Sequence, residues 1–213
     1  MIRIEAWVEG TAPILLHRFS TNAEAESGKQ TRKVQLRQEV PRVTCEQSVY
    51  RAENGALALP CAAFARLIRE AGGAHKQRGS RKSLKYIVPA AVRVLGDLAP
   101  LYCTDRATTC KDFEIDSRSV VIPSTKGRVM RHRARVNSWA CRVDIQVNDD
   151  LLDEATVRQL LIEGVQQNGI GDFRPERGGP FGTAHLVSWE AVGMSPPQPI
   201  RSGARNAATE AAA

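Results

Sequence analysis

The stretch NGIGDFRPERGGPFG, residues 168–182, puts five glycines beside Arg174 and Arg177. Glycine accepts positive φ and lets a ligand approach the main chain, so backbone amides in such a loop can converge on an anion. Arginine adds planar donors that fork onto phosphate. Gly169, Gly171, Gly178, Gly179, Arg174 and Arg177 are therefore candidate phosphate contacts; the plain alternative is a connector whose glycines only permit turns. The loop follows a helical pattern and precedes a strand pattern, the reverse of a dinucleotide-binding fingerprint.

Two further segments carry concentrated charge. IPSTKGRVMRHRAR, residues 122–135, holds Lys126, Arg128, Arg131, Arg133 and Arg135. It lacks the GxxxxGK[ST] order of a P-loop, but Arg131, Arg133 and Arg135 share one face of an alternating strand and could track a phosphate backbone. HKQRGSRKSLK, residues 75–85, adds Lys76, Arg78, Arg81, Lys82 and Lys85 in a loop with almost nothing to bury. Such a loop can clamp nucleic acid and be disordered without it. Each segment also has a bland reading as a solvated surface.

Residues able to break bonds are sparser. His17, just past the first strand, could act as general base on a 2′-hydroxyl, or be a polar residue bordering a loop. Asp105, Asp112 and Asp116 lie in a segment, 97–119, with no regular pattern. No Ser-His-Asp, Cys-His or HExxH constellation is present. Cys45, Cys61, Cys103, Cys110 and Cys141 form no CxxC pair, which points to reduced thiols, no structural zinc and no cofactor.

The elements that must position these residues follow from periodicity. Ile2, Ile4, Ala6 and Val8 alternate as a half-buried strand. In LALPCAAFARLIREAGG, Phe64, Leu67, Ile68 and Ala71 follow helical spacing, and Gly72-Gly73 ends a helix over about 60–71. YIVPAAVRVL reads as a strand, with Pro89 at an edge or bend. Residues 129–136 and 139–147 alternate around Asn137-Ser138 and read as a hairpin. A helix over about 151–166 follows, with Asp150 as its cap and Val157, Leu160, Leu161 and Val165 as its buried stripe. TAHLVSWEAV is the last strand, and the tail from Ser195 reads as disordered.

Two helices on one face of an antiparallel sheet make an α+β, ferredoxin-like or RRM-like domain over residues 1–193, with insertions at about 20–55, 73–85 and 97–119 and a tail at 194–213. The charge balance fits a polyanionic partner: 30 Lys and Arg against 23 Asp and Glu leave +7. Aromatics make up only 5% of residues, so backbone contact is favoured over base stacking. With no signal peptide and no long apolar run, the expected location is cytoplasmic, with no membrane partner.

Three stretches together resemble the RAMP superfamily, the RRM-like RNA-binding subunits of CRISPR–Cas effector complexes. They are the opening strand leading into APILLH, the segment bearing Leu59, Pro60, Phe64, Leu67, Ile68 and Arg69, and the glycine-rich loop with Gly169, Gly171, Arg174, Gly178, Gly179, Phe181 and Gly182. The resemblance implies a repeated, non-catalytic backbone subunit that holds single-stranded guide RNA independently of sequence. Its partners would be guide RNA, target nucleic acid, other copies of itself and further effector subunits. Gly-Pro-Phe-Gly replaces a plain Gly-Phe-Gly, and Asp172 and Glu176 dilute the loop's charge. Two alternatives stay open: a metal-independent guide-processing ribonuclease using His17, and a phage single-stranded DNA-binding protein.

Overall fold

The computed structural model describes residues 1–18, 40–121 and 127–193. Lys126, the segment at 20–39 and the tail at 194–213 lie outside the described residues. In chain order the elements are β1 (Ile2–Gly10), β2 (Ile14–Leu16), α1 (Pro41–Gln47), β3 (Tyr50–Arg51), β4 (Leu57–Pro60), α2 (Cys61–Ala71), α3 (Val88–Ala91), β5 (Val92–Val94), β6 (Leu98–Tyr102), β7 (Glu114–Val121), β8 (Arg128–Val136), β9 (Ala140–Val147), α4 (Glu154–Glu163) and β10 (Ala184–Ala191).

The strands form two antiparallel sheets. The larger runs β10-β1-β9-β6-β4-β3, with β5 also pairing β9. β5 and β6 lie along successive parts of β9, Val92 opposite Val147 and Leu101 opposite Cys141, and act as one interrupted strand. Gly96, at φ +85°, makes the interruption. Counting that pair as one strand, β1, α2, β5/β6, β9, α4 and β10 give the ferredoxin-like order, with β1 central between the last strand and β9. Phe64, Leu67 and Ile68 of α2 and Val157, Leu160 and Leu161 of α4 join Ile4, Ala6, Val8, Val143 and Ile145 in one core. The two helices pack on each other, as expected for one face. No helix among the described residues is long and apolar enough to cross a membrane.

Several local expectations are corrected. Residues 129–136 and 139–147 do not pair: β8 belongs to a second sheet, β2-β8-β7, and its hairpin partner is β7. The segment at 97–119 is therefore not irregular, since it supplies β6 and β7. The change of sheet occurs at Trp139, which is fully buried and donates from Nε1 to the Ala12 carbonyl at 2.9 Å. Gly10 makes room for it, because a Cβ there would sit 2.2 Å from the indole nitrogen. Trp139 thus anchors the end of β1, and β8 is left to pair elsewhere. YIVPAAVRVL starts as helix, with Pro89 in the first turn of α3, where its fixed φ fits and no amide is needed. Asp153, not Asp150, caps α4, accepting from the Thr156 amide at 2.8 Å.

Candidate nucleic-acid interface

After α4 the chain widens into a π-type turn, Gly164–Asn168, and enters the glycine-rich loop. Ile170 and Phe181 are buried and pin the loop to the body. Its amides are turned inward. Gly169 donates to the Gly164 carbonyl, Gly178 to Pro175, Gly179 to Arg174, Asp172 to Leu15 and Gly182 to Pro13, all at 2.8–3.0 Å. An amide nest at Gly169, Gly178 and Gly179 is thus overturned, because each N–H already has an acceptor and a buried amide without one is costly. Gly179 does not use positive φ; it is glycine because a Cβ would meet the Phe173 carbonyl oxygen at 1.8 Å. Gly171 does use positive φ, +86°, and presses against the Leu15 carbonyl.

The arginines divide into braces and free cations. Arg133, expected on an open strand face, is 5% exposed and bonds Asp172 through Nε at 2.5 Å. Burial raises the Asp172 pKa, but the hydrogen bond and charge of Arg133 outweigh it and hold the carboxyl below the usual range. This pair joins the second sheet to the loop, beside the Leu15–Asp172 bridge. Arg174 grips Glu176 with Nε and Nη2 at 2.9 and 2.6 Å and reaches the Gly171 carbonyl with Nη1 at 2.9 Å. Arg66 approaches the other Glu176 oxygen at 3.3 Å. Arg133 and Arg174 therefore act as braces: Asp172 holds the Nε of the buried Arg133, and Glu176 with the Gly171 carbonyl engages all three nitrogens of Arg174. Arg135 is half-buried, with its Nε enclosed and unpaired. Arg128, Arg131 and Arg177 are exposed and outside any ion pair among the described residues.

The polybasic segment is an ordered turn. Gln77 donates to the Lys82 carbonyl, Leu84 to His75 and Lys85 to Gly72, and Leu84 is buried. The expectation of a loop disordered without nucleic acid is corrected. Lys85 pairs with Glu70 at 2.6 Å, whereas Lys76, Arg78, Arg81 and Lys82 stand exposed. His75 ties the turn to α4 through Glu163 at 2.5 Å.

Between the loop, the end of β2 and α2 lies a cavity of about 430 Å³. His17 and Arg18 form one wall, the outward face of α2 with Ala63 and Arg66 another, and Asn168–Asp172 a third. His17 is exposed to the cavity, yet crowding by its walls lowers the imidazole pKa; Asp172 pulls it up, and Arg131 and Arg133 push it down. Arg18 lies over the Tyr50 ring at 4.9 Å. Sequence reading brought out His17 but missed Arg18, Tyr50, Arg66 and Asn168. Arg66 alone had a signal, since residues 62, 63, 66 and 70 form the helix face opposite the apolar stripe. Of the aspartates, Asp116 is buried beside Arg118, Asp112 pairs with Arg42, and Asp105 caps a turn at Thr108; none reaches the cavity. All five cysteines are free thiols.

No family model and no curated protein matches this chain. Among solved structures, it is similar to a chain of the cryo-EM structure of Type III-B Cmr-beta bound to cognate target RNA. The identity is 11% and the TM-score 0.54, covering 90% of this chain and 60% of that one. It is also aligned with Cmr6 from Pyrococcus furiosus at 11% identity and a TM-score of 0.46, covering 87% of this chain and 98% of that one. The expected likeness to CRISPR effector subunits therefore holds at the level of fold.

Proposed function

We propose that the chain is an RNA-binding subunit of a CRISPR-type ribonucleoprotein complex, holding single-stranded guide RNA along the groove between α2, the glycine-rich loop and β8. The observation that supports it is one cavity walled by the end of β2, α2 and the glycine-rich loop, with β8 tied to that loop through Arg133 and Asp172, in a fold shared with a chain of an RNA-bound effector. The loop's part is to fix this groove through Asp172 and Arg133. Phosphates are met instead by the free cations Arg128, Arg131 and Arg177, with Lys76, Arg78, Arg81 and Lys82 extending the positive field. Copies of the subunit would follow one another along the strand, with further effector subunits at the ends.

A second reading draws on one specific observation, the neutral-leaning His17 in that groove beside Asp172. Cleavage of the bound strand would use His17 as base on a 2′-hydroxyl, without metal.

Titration of RNA at several salt concentrations tests the binding reading. Each phosphate contact contributes about −0.7 to the log–log slope for single strands, so Arg131→Ala should flatten the slope by about that amount. Affinity independent of salt overturns it. Cleavage in EDTA that is lost in His17→Ala would move the assignment to the ribonuclease.

A further inference from the structure

The five thiols are not equivalent. Cys45, Cys61 and Cys141 are at most 4% exposed, whereas Cys103, the most open of the five, stands 3.7 Å from Cys110, sulfur to sulfur. The turn after β6 sets this approach. Tyr102 bridges Thr109, the Cys103 amide donates to the Thr108 carbonyl at 2.7 Å, and the Cys110 amide donates to the Leu101 carbonyl at 2.8 Å. That register puts the two cysteines diagonally opposite on one face. Asp105 accepts from the Ala107 and Thr108 amides at 3.0 Å, and Arg106 takes φ +57° to close the turn. Cys110 also marks the point where the chain leaves the main sheet for β7. Its carbonyl accepts from the Leu57 amide at 2.8 Å, and its thiol faces the Ser138 carbonyl, at 3.9 Å, where the chain returns from β8. Burial, and then the hydrogen bond with Cys103, push the Cys110 pKa up to about 12. The Cys110 thiol is therefore inert while Cys103 is reduced, and the part of that rise due to Cys103 is lifted once Cys103 reacts.

We infer that Cys103 and Cys110 form a site of reversible thiol oxidation whose reactant is a small hydroperoxide. Cys103, as its thiolate, attacks a peroxide oxygen; the O–O bond breaks, the sulfur becomes a sulfenic acid, and the departing hydroxide is protonated to water. The Cys110 sulfur then attacks the Cys103 sulfur. The S–O bond breaks as the S–S bond forms, and the Cys110 proton leaves with the hydroxyl as a second water. Two thiols and one hydrogen peroxide thus give one disulfide and two waters, with the two electrons of the thiols reducing the peroxide. Closing the gap to the S–S distance of about 2.0 Å takes rotation of the Cys103 side chain and a small shift of an exposed turn. The disulfide fastens the turn at the junction of the two sheets and removes the hydrogen that Cys110 offers to Ser138. A dithiol restores both thiols by exchange. Neither cysteine lines the groove cavity, so the chemistry is independent of strand binding.

The test exposes the full chain to hydrogen peroxide, caps the remaining thiols with N-ethylmaleimide in acid denaturant, and digests with trypsin. Cleavage after Arg93, Arg106 and Lys111 separates the two cysteines, so only a disulfide keeps their peptides together. Mass spectrometry should find Val94–Arg106 joined to Ala107–Lys111, two hydrogens lighter than the sum of the two and parted by dithiothreitol. Free thiols should fall from five to three, the two lost being this pair. Cys103→Ser should abolish the joined peptide and, at the same dose, leave its four thiols free, the five less the one replaced. Separately capped Cys103 and Cys110 peptides at a dose that already oxidises Cys45, Cys61 or Cys141 overturn the site. So does a Cys103–Cys103 link between two chains, or a Cys103 that passes to sulfinic acid without joining Cys110.

Discussion

In the loop at 168–182 Arg174 is held by Glu176, and Arg133 of the facing strand by Asp172. In the turn at 75–85, Lys76, Arg78, Arg81 and Lys82 are exposed, with no carboxylate of the described residues within ion-pair distance. As text the first region balances Arg174 and Arg177 against Asp172 and Glu176, while the second carries cations and no acid; in the first the charges fix geometry and in the second they act at a distance. Cations of the first kind are few, buried or half-buried, and matched. Those of the second kind shape the field that a polyanion meets on approach.

The sharpest way to break this contrast is to remove one member of the buried pair. Asp172→Ala leaves Arg133 buried and unpaired and should cost about 3 kcal/mol in urea denaturation. Arg133→Met, which removes the charge but keeps the bulk, should cost markedly less, and a loss as large as that of Asp172→Ala would deny the brace role. Gly179→Ala should come next, at about 1–3 kcal/mol, because its Cβ has nowhere to go against the Phe173 carbonyl. Replacing Lys76, Arg78, Arg81 and Lys82 by Ala should shift stability by under about 0.5 kcal/mol. If all four meet phosphates, it should flatten the salt slope for RNA by up to about 2.8, from about 0.7 per contact.

The smallest effects lie in pH. Asp172 has a folded pKa below its unfolded value, so its contribution is present above the unfolded pKa, near 4, and is lost as pH falls through the folded one. Arg133→Met should therefore blunt the wild type's loss of stability in that acid range. His17 is also lowered, but as a base: the unfolded chain takes up its proton first, so stability falls as pH drops below about 6.5. His17→Asn should flatten the stability profile there, and an unchanged profile would show that the imidazole is not crowded.

Much of the scaffold was legible because its signals are local. The stripe Phe64, Leu67, Ile68 and Ala71 and the alternation of β1, β9 and β10 each fit within one element, and the helix–strand order then restricts the topology. What escaped depends on distant partners. The alternation on either side of Asn137-Ser138 is real, but only the burial of Trp139 against Gly10 shows that the two strands belong to different sheets. Arg133 sits in an all-basic stretch, and its carboxylate lies 39 residues away. Glu176, read as a dilution of the loop's charge, instead holds Arg174 and Arg66 together.

The central place of β1 sets a constraint on how the molecule is made. Its neighbours in the sheet are β9 and β10, Ala140–Val147 and Ala184–Ala191, so the earliest of the sheet's strands is flanked by its two latest. At about 5–20 residues per second, the wait for its final partner is roughly ten to forty seconds. Until β9 emerges an alternating apolar strand stands with both edges unpaired, and until β10 emerges with one, the state most prone to join a neighbouring nascent chain. Shielding of β1 during synthesis should therefore raise the share of chains that reach the folded form.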